Sequence, residues 1–303
     1  MDRVLPAFHL ASQSFRPYLA EPLLQQPAGS SGKLGLCHLV FDATANQTRL
    51  RQSYVQHPFH LTRPWYLDPA LPGMAVLYLQ TPAGGLIQGD RTEIQLHLKA
   101  HAQVHLTTQA AEKIHTMTAN CAVQQLSFTL GLGAYLEYCP EPIILFPHAR
   151  FSQSLTIELQ EEANVFLSEI FLFHHAPNNS VFDALTTHLQ VHDTNGSTLV
   201  RERNEVFPMR QNIHGLGLLG SYRVWGQAAL IGPTIPASSV QALSTVIAQV
   251  SDVESGVTLL PRERGLAVKV LGMEVSAVRR VLHAVRHWIR MQHRGVPATV
   301  FPK

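Results

Sequence analysis

Ile94-Gln-Leu-His-Leu-Lys-Ala-His-Ala-Gln-Val-His-Leu106 is the stretch whose pattern decides the fold. Ile94, Leu96 and Leu98 alternate with Gln95 and His97, and Ala102 then leads into Val104-His-Leu106, where the alternation resumes. A period of two marks half-buried strands, because successive side chains point to opposite faces of a sheet. The same unit returns twice. Phe128-Thr-Leu130 passes through Ala134 to Leu136-Glu-Tyr138, and Ile157-Glu-Leu159 passes through Ala163 to Val165-Phe-Leu167. A strand, a tight bend and a second strand, recurring about every 30 residues, form a repeat whose single unit cannot bury its apolar face alone. The spacing predicts a mainly β protein of helically wound, stacked sheet layers. A plain antiparallel sandwich with similar turns is the alternative that spacing leaves open.

Outward from this stretch, alternation dominates from Cys37 to about Gly232, with Asn195-Gly196 as a hairpin signal. Residues 1–35, rich in Pro, Ser, Gln and Gly, show no clean period and read as a weakly structured lead-in. Residues 36–303 read as a single β-rich domain with helices at about 238–250 and 274–290. Ser238 and Ser239 are candidate caps for the first helix, whose apolar stripe is Val240, Leu243, Val246, Ile247 and Val250. Short strands at 256–260 and 266–271 separate it from the second helix. There Val278, Val281, Leu282, Val285 and Ile289 form the stripe, opposite a face of Arg279, Arg280, His283, Arg286, His287 and Arg290. Such a face reads as a solvated cationic surface, suited to an acidic partner.

A chain of 303 residues can bury a large core. A net charge of +2 gives no overall pull toward nucleic acid. Cys37, Cys121 and Cys139 are too few and too scattered for a disulfide framework or a zinc knuckle, which suits a reducing, cytoplasmic compartment. No run approaches the roughly 18 apolar residues of a membrane helix, and no signal-peptide core is present. Histidine is the compositional outlier, with 17 copies. His97, His105, His188 and His192 lie on strands among polar neighbours, where a surface role and nickel or zinc handling both fit.

Thr81-Pro-Ala-Gly-Gly-Leu-Ile-Gln-Gly-Asp90 is not a phosphate loop, because Asp90-Arg91 stands where a Walker loop needs Lys-Ser/Thr and a strand follows instead of a helix. The dinucleotide fingerprint fails for the same reason. Thr107, Thr108 and Gln109 offer two hydroxyls and an amide at a strand end, as a turn or as the lining of a polar path. Glu137 and Glu141 flank Pro140. As a carboxylate pair they lack the nucleophile or metal cluster that catalysis needs. With no Gly-x-Ser-x-Gly or His-Glu-x-x-His either, the chain reads as non-enzymatic. His174-His175, beside Pro177, and His283 with His287, one helical turn apart, are spacings that can contact a transition metal.

Taken together, Leu77–Asp90, Leu106-Thr-Thr-Gln-Ala-Ala-Glu-Lys-Ile-His115, Leu136-Glu-Tyr-Cys-Pro-Glu-Pro-Ile-Ile-Leu-Phe146 and Arg264-Gly-Leu-Ala-Val-Lys-Val-Leu-Gly272 resemble the urease accessory protein UreD family, called UreH in some organisms. The resemblance implies a non-catalytic scaffold that binds apo-urease and UreF, reaches UreG via UreF, and holds no permanent cofactor. Nickel in transit is its cargo. A polar passage through the family's fold would place Asp90, Thr108, Glu137 and Glu141 along the metal's path, with Asp90, Glu137 and Glu141 as transient ligands. Thr107, Thr108 and Gln109 would line the path, and His174 and His175 would add a further contact. The chain departs from the family at His174–Ser180, at Pro142 and at Pro297-Ala-Thr-Val-Phe-Pro302. A β-rich protein- or carbohydrate-binding module without a metal role, a paralogue serving another metalloenzyme, and a hydrolase using Asp90 or Glu137 are the alternatives.

Overall fold

The computed structural model describes residues 13–24, 31–174, 180–215 and 217–302. An antiparallel pair, β1 (Leu34–Ala43) and β2 (Thr48–Gln56), is followed by β3 (His60–Leu61) and β4 (Ala75–Gln80) in a second layer. The chain then winds. One coil runs through β5 (Arg91–Leu98), β6 (Gln103–Thr108) and β7 (Glu112–Ile114). The next runs through β8 (Ala122–Leu130), β9 (Tyr135–Tyr138) and β10 (Ile143–Leu145), and a third through β11 (Arg150–Leu159) and β12 (Asn164–Phe173). Each strand lies parallel on its counterpart in the previous coil, which settles the architecture as wound layers and removes the antiparallel sandwich. A short third face is made by β7 and β10.

Antiparallel strands close the ends. β13 (Ala184–Asp193), still parallel on β11, and β14 (Thr198–Val206), antiparallel on β13, complete a seven-stranded sheet in the order β14-β13-β11-β8-β5-β1-β2. β15 (Val224–Ile231), β16 (Val253–Leu259) and β17 (Gly265–Gly272) extend the other, whose main path is β16-β17-β15-β12-β9-β6-β4-β3.

The sequence repeat is the coil corner. Ala102 N–H donates to Lys99 O at 3.1 Å, Ala134 to Gly131 at 3.0 Å and Ala163 to Gln160 at 3.1 Å. The residue before each alanine takes a left-handed φ: 58° at His101, 60° at Gly133 and 57° at Glu162. Adjacent corners are also tied to one another, His101 N–H to Leu132 O and Gly133 N–H to Glu161 O. Stacked corners put like residues in rungs, so Leu39, Leu96, Phe128, Ile157 and Val191 face inward in one continuous register. This rung belongs to the main core, together with Val104, Leu136 and Val165 of the opposite sheet.

Among the described residues the helices are α1 (Arg16–Ala20), α2 (Ser238–Ile247) and α3 (Val275–Arg294). The short α1 lies in the N-terminal lead-in, and Phe15 just before it is fully buried. Ser238 and Ser239 do not cap α2; Ala237 holds the cap position without a side-chain bond, because the helix begins at Ser238 itself. α3 runs four residues past the expected end and stops at Gly295, whose φ is 66°. It lies on β12, β15 and β17. Gly226 permits that approach, since a Cβ there would sit 2.4 Å from Val278 Cγ1. No helix among the described residues is long and apolar enough to cross a membrane, and the three cysteines are unpaired.

Candidate functional site

Inside the wound sheets, one rung is polar. Thr92 pairs in register with Gln124, Gln124 with Gln153 and Gln153 with Thr187. All four are buried and, by the two-residue period, point inward with Ile94, Leu126, Leu155 and Leu189, two residues further along each strand. This rung separates two apolar clusters, one holding Ile94, Leu126 and Leu155, the other Ala122, Phe151 and Leu185. Opposite it, buried Glu169 of β12 accepts from Gln153 Nε2 and Gln227 Nε2, each at 2.9 Å. Gln227 Oε1 accepts from Lys269 Nζ at 2.6 Å, and Lys269 also bonds Glu202. A cavity of about 40 Å³ lies here, lined among others by Gln153, Ser168, Glu169, Thr187, His188 and Glu202. Burial raises the Glu169 carboxyl; amide bonds from Gln227 and Gln153 and the charge of Lys269 offset part of that. Burial, with Arg203 and Arg201, lowers His188 and favours its neutral ring.

The polar layer continues toward the Gly-Gly loop. The Tyr138 hydroxyl is pushed up by burial, then by Glu169, Cys139 and Glu112. Glu112 Oε2 accepts from Thr81 Oγ1 at 3.1 Å. Burial brings its carboxyl to about 7; Thr81 pulls it down, Asp90 adds to the rise and Lys33 opposes it. Thr92 Oγ1, Gln153 Oε1 and Glu112 Oε1 are buried with no hydrogen-bond partner. All three can accept, so the layer's own donors leave acceptor capacity unfilled.

Asp90 is fully buried at the edge of this layer. Its Oδ1 accepts from Lys33 N–H at 2.8 Å, and Oδ2 accepts from Ile87 N–H at 3.0 Å and pairs with Lys33 Nζ at 3.1 Å. The carboxylate thus ties off the loop it ends. Gly85 is needed in that loop: its φ is 126°, and a Cβ would sit 2.3 Å from Lys113 O.

Glu137 belongs to a different cluster, beneath α3. Its Oε2 lies 2.7 Å from His105 Nδ1 and 3.6 Å from Arg286 Nη1. Oε1 accepts from Tyr135 OH at 2.8 Å and lies 3.3 Å from Arg290 Nε. Arg290 Nη2 also donates to Asp68 Oδ2 at 2.7 Å, with both side chains at 0% exposure. Asp68 Oδ1 accepts from Thr299 Oγ1 and from the Ala70 and Leu71 amides. Burial would raise Glu137, but the hydrogen bond and charge of His105, then Arg286 and Arg290, outweigh it and hold the carboxyl at about 2. The expected solvated face of α3 is corrected here: Arg286 and Arg290 are buried counter-charges. His105 is likewise buried, not on the surface.

The remaining expected residues divide. Thr107 Oγ1 donates to Cys139 O at 2.6 Å, Thr108 Oγ1 accepts from Glu141 N–H at 2.8 Å, and Glu141 Oε2 pairs with Arg279 at 2.5 Å. These three therefore gather near the end of β9, beside Glu137. Gln109 is exposed and bonds Gln80. His174 stacks on Phe146 with centroids 4.9 Å apart, at the far end of β12. His175 lies outside the described residues. His287 is exposed on α3. Among the described residues no group of three or more His, Cys, Asp or Glu side chains is placed to hold a metal ion. Sequence reasoning missed Glu112, Glu169, Asp68 and the polar rung. The rung was readable from Thr92, Gln124, Gln153 and Thr187, each two residues before an inward apolar position, once the coil register was known.

The chain matches the family described as UreD urease accessory protein over residues 33–301. It is 32% identical over 276 residues to urease accessory protein UreD 2 of Brucella suis biovar 1 (strain 1330), covering 89% of this chain and 91% of that protein. It is 28% identical over 274 residues to urease accessory protein UreD of Cenarchaeum symbiosum (strain A), covering 89% and 96%. Its identity to the UreD of Haloarcula marismortui is 29% over 286 residues, covering 94% and 95%. The chain belongs to the UreD family of urease accessory proteins.

Proposed function

We propose that this UreD-family protein is a non-catalytic, cytoplasmic scaffold of urease maturation. It holds apo-urease and UreF, with UreG joining via UreF, and lets nickel in transit cross its interior. The observation that supports transit is the polar layer from Asp90 and Glu112 to Glu169 and Glu202, with three buried acceptors left unsatisfied. An orphaned buried acceptor costs about 1–3 kcal/mol, and a passing cation would recover that. Oxygen and amide donors bind a borderline ion such as nickel less tightly than a thiolate or imidazole cage, so the ion can leave again. Raised carboxyl groups at Glu112 and Glu169 suit the same task. Burial makes each easier to protonate than a free carboxylate, so arrival of a cation there is coupled to loss of a proton.

Of the positions expected along the path, Asp90 takes the entrance, where it fixes the loop and biases Glu112. Glu137 is assigned to holding α3 on the sheet, since Arg286 and Arg290 repel a cation from it. Glu141, Thr107 and Thr108 frame the adjoining surface. The test is nickel loading of apo-urease by purified UreF, UreG and this protein. Glu169→Gln should form the same complex on gel filtration yet load nickel more slowly. Loading equal to wild type would remove the interior passage, and undiminished urease activation in a strain lacking the gene would remove the whole role.

A further inference from the structure

Lys269 and Asn204 line two spaces at once: the cavity of about 40 Å³ beside Glu169, and a cleft of about 430 Å³ walled by Ile213, Leu218, Leu219, Trp225 and Leu271. These two side chains form the boundary between cavity and cleft. Strand pairing sets Lys269 there, because on β17 it stands opposite Gln227 of β15 on one side and Gly256 of β16 on the other. Its ammonium lies 5.1 Å from the centre of the Trp225 ring, donates to Gln227 Oε1 at 2.6 Å and pairs with Glu202. Asn204 is tied down at both ends of its reach: Nδ2 donates to Glu202 Oε1 at 2.8 Å and to Thr187 Oγ1 at 3.0 Å. Lys269 is held less firmly. Its side chain is 43% exposed, it has a flexible four-carbon stem, and on the Gly256 flank even an added Cβ would meet nothing within 4 Å. The ammonium's seat is made of acceptors, the Glu202 carboxylate and the Gln227 amide oxygen, and Gln227 gives its amide N–H to Glu169. The protein's own cation thus sits where the polar layer ends. Arg203, the other cation among the described residues of the cleft wall, is paired with Glu205.

We propose that this cleft is the mouth of the interior passage and that Lys269 is its gate, an inference that rests on the passage proposed above. With the ammonium seated on Glu202 and Gln227, like charge keeps a nickel ion off that seat and shuts the cavity against cations outside. When the side chain swings along the Trp225 ring into the cleft, Glu202 and Gln227 are released to take the ion from Glu169 and hand it outward. The seat holds one cation at a time, so departure of the metal and return of the ammonium are coupled, and the gate resets itself.

The test is nickel loading of apo-urease by UreF, UreG and the full chain, comparing Lys269→Met, Lys269→Arg, Glu169→Gln and the double variant Lys269→Met/Glu169→Gln. Lys269→Met keeps the length and loses the charge, and because the pair it breaks is half exposed its unfolding midpoint should stay near wild type. It should load nickel about five- to tenfold faster, since no ammonium has to part from Glu202 and Gln227 at each passage. Lys269→Arg, which keeps the charge, should load no faster than wild type. The double variant should be as slow as Glu169→Gln alone, because the gate governs only ions that arrive by way of Glu169. Loading by Lys269→Met at or below the wild-type rate, with Glu169→Gln slow, would overturn the gate and leave the passage standing. A gain that survives in the double variant, or that Lys269→Arg shares, would also overturn the gate. Wild-type rates in both Lys269→Met and Glu169→Gln would remove the passage, and the gate with it.

Discussion

Arg290→Met removes the one guanidinium that bridges two fully buried carboxylates, Asp68 and Glu137, 222 residues apart in Asp68's case. Methionine fills much of the same volume, so packing changes little and the electrostatic term is isolated. Asp68 keeps three neutral donors, the Ala70 and Leu71 amides and Thr299 Oγ1, but loses its ion pair with Arg290. Glu137 keeps His105, Tyr135 and Arg286. The loss therefore falls mainly on Asp68, and breaking one side of a buried pair costs about 3–5 kcal/mol. Against a total stability of about 5–15 kcal/mol, that is a large fraction. Urea unfolding at neutral pH should show the midpoint falling by about 1 M or more. Asp68→Asn in the same chain removes the stranded charge and should restore about half of the loss, a coupling that a double-mutant cycle reads directly. Arg279→Met, which breaks an exposed pair, is the control and should cost under about 1 kcal/mol. Acid adds a second readout. The Glu137 carboxyl is depressed to about 2 from its ordinary 4.5, so its contribution is complete above about pH 4.5 and disappears as pH falls toward 2. In Arg290→Met the carboxyl rises, and acid unfolding should begin at higher pH. A loss below 1 kcal/mol with an unchanged acid limb would refute the view that Arg290 is a structural counter-charge.

Glu112 carries the opposite sign: its folded-state carboxyl stands at about 7, above 4.5, so stability should decline as pH rises between those values and stay lower beyond them. Glu112→Gln should flatten that slope and unfold later than wild type at pH 8, as thermal melts at several pH values will show. Gly85→Ala forces a Cβ to 2.3 Å from Lys113 O at a φ of 126°, and should cost more than about 1 kcal/mol and expose the loop to protease. Asp90→Asn keeps the acceptor for Lys33 N–H and loses the ion pair; it should be milder in urea than Asp90→Ala, and equal effects would mean the backbone bonds matter little.

The wound fold was legible because its signal is local and repeated: each corner is one alanine after a left-handed residue, and three copies give the period before any contact is known. Helix polarity was harder. Arg286 and Arg290 stand on the opposite face by composition, yet they continue the four-residue row of Val278 and Leu282, which is the buried row. The partners that make burial tolerable, Asp68 and Glu137, lie 222 and more than 130 residues upstream, beyond any periodicity. The same limit hid the polar rung, since Thr92, Gln124, Gln153 and Thr187 look like single interruptions of four separate strands until the coils set them side by side. What joins the two clusters is the sign of their imbalance. Buried acceptors without donors, at Gln153 and Glu112, lie in the wound interior, whereas buried donors without acceptors, at Arg286 and Arg290, lie beneath α3. Glu137, held ionised by His105 and by its own two arginines, is matched to the cationic row of α3 that lies on it.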